Sequence, residues 1–214
     1  MSHLPLVLAA SLLLGWGPGR EGGHGAREWR EQRYRGRTDY RTVGAGDRAT
    51  LRAEAHDRNS ALLTPLPIDP RGVVLKWRWR VLRHPAGADP TVRSRDDRAA
   101  GVLVVVRRSR IPGRTHALLY QWTPARPAGE WSHSPYSRRV PSVVLRAAPA
   151  DSTWREESRD LEADLLRAFG AVPERIAAIG VICDADDTGD RASAEFGAIE
   201  VLSGEEARAA RVRP

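Results

Sequence analysis

Cysteine is almost absent from this 214-residue chain, Cys183 being the only one. An intramolecular disulfide is therefore excluded, and so is a zinc site built on cysteine. Cys183 lies in an apolar run, Ile179-Gly180-Val181-Ile182-Cys183, and reads as a small core residue rather than a catalytic thiol. Lysine is equally scarce. Lys76 is the one lysine among 34 basic residues, so the net charge of +7 and the pI near 10.5 are carried by arginine spread along the whole chain. No helix-turn-helix, zinc-finger or RNP-type pattern accompanies that charge, so the sequence gives no nucleic-acid partner. No apolar run reaches the roughly 20 residues of a membrane-spanning helix. P-loop, G-x-S-x-G and H-E-x-x-H motifs are missing, and the six histidines are scattered without ligand spacing. One G-x-G-x-x-G occurs, from Gly17 to Gly22, but it follows no strand and is not a nucleotide loop.

What is present begins with a stretch of export character. Leu4 to Trp16 is apolar and uncharged, a Gly-rich stretch follows, and His24-Gly25-Ala26 offers a peptidase a cut after Ala26. The alternative is an ordinary buried helix, since no Lys or Arg precedes the run. The organisation expected is an export signal over 1–26, one domain over 27–203, and a charged, frayed C-terminal tail over 204–214. The mature chain is then periplasmic or extracellular, without a membrane span. No cysteine stands near the cut to carry a lipid anchor. At 41% hydrophobic residues the domain can build a sizeable core.

The domain reads mainly as strands. Leu75, Trp77, Trp79 and Val81 alternate strictly with Lys76, Arg78 and Arg80, as a half-buried antiparallel strand does. Gly101–Val106 is apolar on both faces and predicts a central strand. Ala49–Ala55, Ala117–Trp122, Val140–Leu145, Ile176–Cys183 and Phe196–Leu202 complete the set. One helix is expected, because Leu161, Leu165, Ala168 and Phe169 share a face and Gly170 follows as a stop. Asp164 shares that face and needs a hydrogen-bond partner at the core margin. Short strands, Pro- and Gly-rich loops and a single short helix predict a mostly β, antiparallel β-sandwich. Its long loops, Arg83–Ala99 and Thr123–Arg139, are where a site would lie.

Two sets of residues carry chemistry. Asp184-Ala185-Asp186-Asp187-Thr188-Gly189-Asp190 puts carboxylates close together on a turn, with Glu195 twelfth in the count. A hard cation such as Ca²⁺ needs that ligand density, and Asp184, Asp186 and Thr188 are the candidate metal ligands. The alternative is a hairpin turn whose side chains bond their own backbone. The second set is Asp96 and Asp97 at the end of one long loop, with Tyr120, Trp122, Trp131 and Tyr136 in and before the other. Aromatic faces beside carboxylates and amides suit a sugar, whose C–H face stacks on the ring while its hydroxyls bond the polar groups. The alternative places Tyr120 and Trp122 in the core as strand residues.

Taken in order, these stretches resemble an uncharacterised bacterial family, domain of unknown function 3047. The matching stretches are Leu75–Val81, Asp96-Asp97 with Ala100-Gly101-Val102, Tyr120-Gln121-Trp122, and Ser134-Pro135-Tyr136-Ser137-Arg138-Arg139. Trp154, Glu156–Asp160, Asp164, Phe169-Gly170, Asp184–Gly189 and Phe196–Ile199 follow. The chain departs from the pattern at Asp187, where Asn is usual, and at Ala198, where an acidic residue is usual. The pattern does not support Glu195 as a calcium ligand. The resemblance implies an exported protein with a jelly-roll-like sandwich akin to carbohydrate-binding modules, and it assigns no activity. Three functions are compatible with the residues: a non-catalytic module binding a glycan or cell-envelope component, a glycan hydrolase using paired carboxylates, and a structural envelope protein with no small ligand.

Overall fold

In a computed structural model, which describes residues 10–16, 28–107 and 115–212, the chain forms fourteen strands and two short α-helices among those residues. In chain order the strands begin with β1 (Ala10–Leu14), β2 (Arg30–Arg35), β3 (Asp39–Val43), β4 (Thr50–His56) and β5 (Asn59–Pro65). Then come β6 (Val74–Arg83), β7 (Arg98–Arg107), β8 (His116–Trp122), β9 (Trp131–Ser134) and β10 (Ser137–Arg146). The last are β11 (Arg155–Asp160), β12 (Arg175–Asp184), β13 (Arg191–Phe196) and β14 (Ile199–Ser203). The helices are α1 (Leu161–Phe169) and α2 (Gly204–Val212).

The strands form two sheets. One runs β1-β14-β6-β13-β4-β3 with β11 on the other side of β6, and the second runs β2-β5-β12-β7-β8-β10-β9. Among the described residues every strand pairing is antiparallel except that of β8 with β10. The fold is therefore the expected mostly β, jelly-roll-like sandwich, with one helix more than expected.

Alternation decides which face each strand buries. Leu75, Trp77, Trp79 and Val81 of β6 point inward, against Val102, Val104 and Val106 of β7 and Leu118, Tyr120 and Trp122 of β8. The four rings interlock: Trp77 lies 5.4 Å from Tyr120, Trp79 meets Trp122 edge-on at 5.9 Å, and the two β6 rings meet edge-on at 5.5 Å. Such pairs add about 0.5–1.5 kcal/mol each beyond their burial. Cys183 is buried and free, as its apolar run suggested. Outward, Arg80, Arg52 and Arg41 are tied in a row by carboxylates: Glu195 bonds Arg80 and Arg52 at 2.6 and 2.9 Å, and Glu54 bonds Arg41 at 3.1 Å. Glu195 is thus a buried ion-pair hub and takes no part in the acidic turn.

Helix α1 covers Leu161 and Leu165. Asp160 caps it by accepting from the Ala163 amide at 3.2 Å, and Gly170 ends it in the left-handed region at φ 72°. Asp164 finds the partners its position required, the Tyr120 hydroxyl at 2.8 Å and the Arg159 guanidinium at 2.6 and 2.8 Å. Helix α2 forms where a frayed tail was expected. Ala207 is buried against Val74 and Leu202, and Arg211 pairs with Asp160 at 2.6 Å. Part of the expected export stretch is also built in: β1 pairs with β14, while Leu14 and Trp16 reach the core, Trp16 stacking on Trp29 at 4.3 Å.

Candidate functional site

The acidic turn between β12 and β13, the start of β7 and the turn between β9 and β10 meet at one end of the sandwich. Asp97 explains why. Its carboxylate is 1% exposed and accepts from the Asp187 amide at 3.0 Å, the Thr188 amide at 2.7 Å and the Thr188 hydroxyl at 2.5 Å. Charge-assisted hydrogen bonds of this kind are the strong ones, so Asp97 latches the turn in place. Asp96, also buried, bonds the Arg98 guanidinium and accepts from the Ser134 hydroxyl at 3.2 Å. Asp184 is wholly buried and accepts from the Arg98 amide at 2.5 Å and its guanidinium at 3.2 Å. Burial works against the Arg98 charge, but the Asp184 and Asp96 carboxylates outweigh it and hold the pKa above the ordinary arginine value.

Outside this buried cluster lies an open depression of about 530 Å³ lined by Arg35, Val92, Arg93, Ser94, Tyr136, Asp186 and Asp187. Tyr136 is 52% exposed. Its hydroxyl donates to the Asp187 carboxylate and lies 3.1 Å from the Arg93 carbonyl oxygen, while the Arg93 guanidinium sits 4.7 Å from the ring centre. Its hydrogen bond to Asp187, then burial, raises the Tyr136 pKa, so the phenol is neutral and a donor at physiological pH. Arg35 donates to the Asp186 carbonyl oxygen at 2.8 Å. One carboxylate oxygen from each of Asp97, Asp186 and Asp187 lies within 4.8 Å of the others, and the buried Oδ1 of Asp186 has no partner. Burial, then the neighbouring Asp187 charge, raises the Asp186 pKa.

The expected site residues therefore divide. Asp96, Asp97, Tyr136 and the acidic turn converge, and Asp96 and Asp97 support the turn from beneath instead of lining the opening. Tyr120 and Trp122 are wholly buried, their polar tips bonded to Asp164 and to the Ala148 carbonyl at 2.8 Å each, so they offer no sugar a face. Trp131 lies on β9 beneath the Arg167 guanidinium, away from the depression. Of the three candidate metal ligands, Asp184 is taken by Arg98 and Thr188 donates to Asp97, which leaves Asp186. Arg98, Arg93 and Arg35 were not expected. The one available signal was Arg98 standing directly after Asp96-Asp97 at the head of an apolar strand.

The profile of a family described as protein of unknown function, DUF3047, matches residues 27–200. The chain belongs to that family. In this DUF3047 chain the match covers the site, the whole second sheet, and the first sheet except β1 and the end of β14. No curated protein matches. Among solved structures, the xyloglucanase domain of NopAA, a type three effector from Sinorhizobium fredii, is similar at TM-score 0.47 and 11% identity, with 95% of this chain and 100% of that chain covered. The family 30 carbohydrate-binding module of a Clostridium thermocellum cellulosomal cellulase gives 0.48 and 12%, with 84% and 93% covered. Winged bean acidic lectin gives 0.46 and 11%, with 92% and 99% covered. These are distant likenesses of chain path, and none bears on what this chain binds.

Proposed function

We propose that this is an exported, non-catalytic glycan-binding protein of the cell envelope, and that the depression around Tyr136 receives the sugar. The observation that carries the reading is a half-exposed aromatic ring set beside two carboxylates and two guanidinium groups. A pyranose places its C–H face on such a ring and its hydroxyls on the flanking charged groups. Export is supported by the apolar run, the Ala26 cut and a family match that begins at residue 27. Calcium, the cofactor the acidic turn suggested, would be held by Asp186 and Asp187 with Asp97, carboxylates of the hard-oxygen type that ion selects.

One observation favours the hydrolase reading. Asp186 and Asp187 line the same opening with carboxylate oxygens within 4.8 Å of each other, and burial raises the Asp186 pKa, as suits a general acid. A pairing of Asp96 or Asp97 with Asp184 or Asp186 does not flank the depression, because Asp96, Asp97 and Asp184 lie buried beneath the turn and only Asp186 lines the opening. A glycan array run with and without EDTA tests the proposal, followed by assay of retained sugars for cleavage. Retention that Tyr136→Ala abolishes is expected, without cleavage. No retention of any glycan in either condition would remove the glycan reading, and cleavage lost in Asp186→Asn would replace it with the hydrolase.

A further inference from the structure

A second pocket, of about 490 Å³, opens on the outer face of the sheet that holds β3, β4, β13 and β6. Arg37, Arg58, Arg83, Arg191 and His56 line it against only two carboxylates, Asp39 and Glu54. Strand register assembles it: His56 stands opposite Arg191, Glu54 opposite Ser193, and Ser193 opposite Arg83. Arg58 follows in the turn from β4 to β5.

The charges do not cancel. Glu54 bonds Arg41 at 3.1 Å and Asp39 lies 3.9 Å from the same guanidinium. Arg37 is held by Glu31 at 2.8 Å and Arg83 by Asp190 at 3.0 Å. The guanidinium groups of Arg58 and Arg191 have no ion-pair partner among the described residues. Elsewhere on the same face Glu195 neutralises both Arg52 and Arg80. Opposing basic side chains on neighbouring strands weaken a sheet once both are charged, so placing Arg191 against His56 brings no stability. An anion between them reverses that sign. A planar guanidinium takes carboxylate, sulfate or phosphate through two parallel N–H bonds. A cleft of about 770 Å³ adjoins the pocket, sharing Arg37, Asp39 and Arg58 and adding the rings of Trp29 and Tyr40. It gives room for more than a bare ion.

We propose that Arg58 and Arg191 form an oxyanion-binding site for a carboxylate, sulfate or phosphate group, carried on an acidic sugar or free in solution. The site stands apart from the Tyr136 depression and does not depend on it. The full chain is titrated with sodium sulfate, sodium phosphate and tetragalacturonate at constant ionic strength, following the arginine Nε–Hε resonances. Saturable shifts of the Arg58 and Arg191 signals are expected. Arg58→Ala or Arg191→Ala should weaken binding about tenfold, the size of one charge-assisted hydrogen bond. Arg58→Lys should fall between, and Arg138→Ala on β10 should change nothing. Melting temperatures of the variants, expected to match the parent, separate lost binding from lost folding. Tighter binding of tetragalacturonate than of the inorganic ions assigns an acidic sugar, and the reverse order assigns the free ion. Absence of saturation with all three probes, or equal weakening by Arg138→Ala, overturns the site.

Discussion

Replacing Arg98 with Met tests whether the cluster under the acidic turn is structural. The Arg98 side chain is 7% exposed, and its guanidinium is the cation that Asp184 and Asp96 share. Met preserves much of the volume and removes the charge. Removing one partner of a buried ion pair costs about 3–5 kcal/mol, because the remaining charge is left desolvated. With an m-value near 2.5 kcal/mol per molar urea, the unfolding midpoint should fall by about 1.5 M. The seven tryptophans give the fluorescence signal for the melt. The pH dependence has a definite sign. Without Arg98, the buried carboxylates have folded-state pKa values above the unfolded value of about 3.9. The loss is then full at neutral pH and shrinks as the pH falls towards 4, where the carboxylates take up protons in the folded state. Adding Asp184→Asn, which keeps an acceptor for the backbone amide at position 98, should recover about half of the loss. A midpoint shift worth less than about 1 kcal/mol at pH 7, or a loss that grows on acidification, would refute the reasoning.

Trp79→Ala should cost about 3–5 kcal/mol in the same urea melt, since the ring is fully buried and its Nε1 donates to Glu157 at 2.9 Å. A cost below about 1.5 kcal/mol would contradict the packing described. Burial works against the Asp89 carboxylate, yet hydrogen bonds from Arg126 and Thr91 outweigh it and hold its pKa at about 2. Its stabilisation is complete above the unfolded value and lost as the pH falls through 2, so Asp89→Asn should cost roughly 1–2 kcal/mol at pH 7 and almost nothing at pH 2. Mass spectrometry of protein from its native host should find a chain lacking residues 1–26, and an intact N-terminus on cytoplasmic protein would rule export out. Binding to duplex DNA should vanish at physiological salt, and sequence-selective binding there would show that the arginine content had been misjudged.

Sequence patterns revealed those strands whose burial differs between faces or is complete on both. β6 alternates, β7 and β12 are apolar runs, and each was placed to within three residues. β2 and β3 escaped because they are edge strands with mostly exposed, charged side chains, REQRYR and DYRTV, which look like loop. β11 escaped likewise, since REESRD is strand only because β6 offers it a pairing edge. The expected strand over 196–202 is broken at Gly197, where an added Cβ would sit 2.5 Å from the Arg78 side chain. For the site, closely spaced carboxylates and a loop tyrosine were visible. The depth at which each carboxylate lies was not. Asp97 and Asp187 carry the same group, and only the long-range contact between the β7 start and the acidic turn makes one a latch and the other part of an opening. Tyr120 and Trp122 misled for a related reason, because polar tips that suit a ligand also suit internal acceptors such as Asp164.

The pairing of β1 with β14 has a consequence for a chain cut after Ala26. Five residue pairs, from Ala10 with Ser203 to Leu14 with Ile199, cover one side of β14. Cleavage after Ala26 would strip that cover, leaving a short hydrophobic strand with vacant amides and carbonyls along Ile199–Ser203. Such a margin accepts a donor strand from another polypeptide, main chain to main chain. Maturation would then do more than shorten the molecule: it would create a seam that is closed in the precursor and open only after processing.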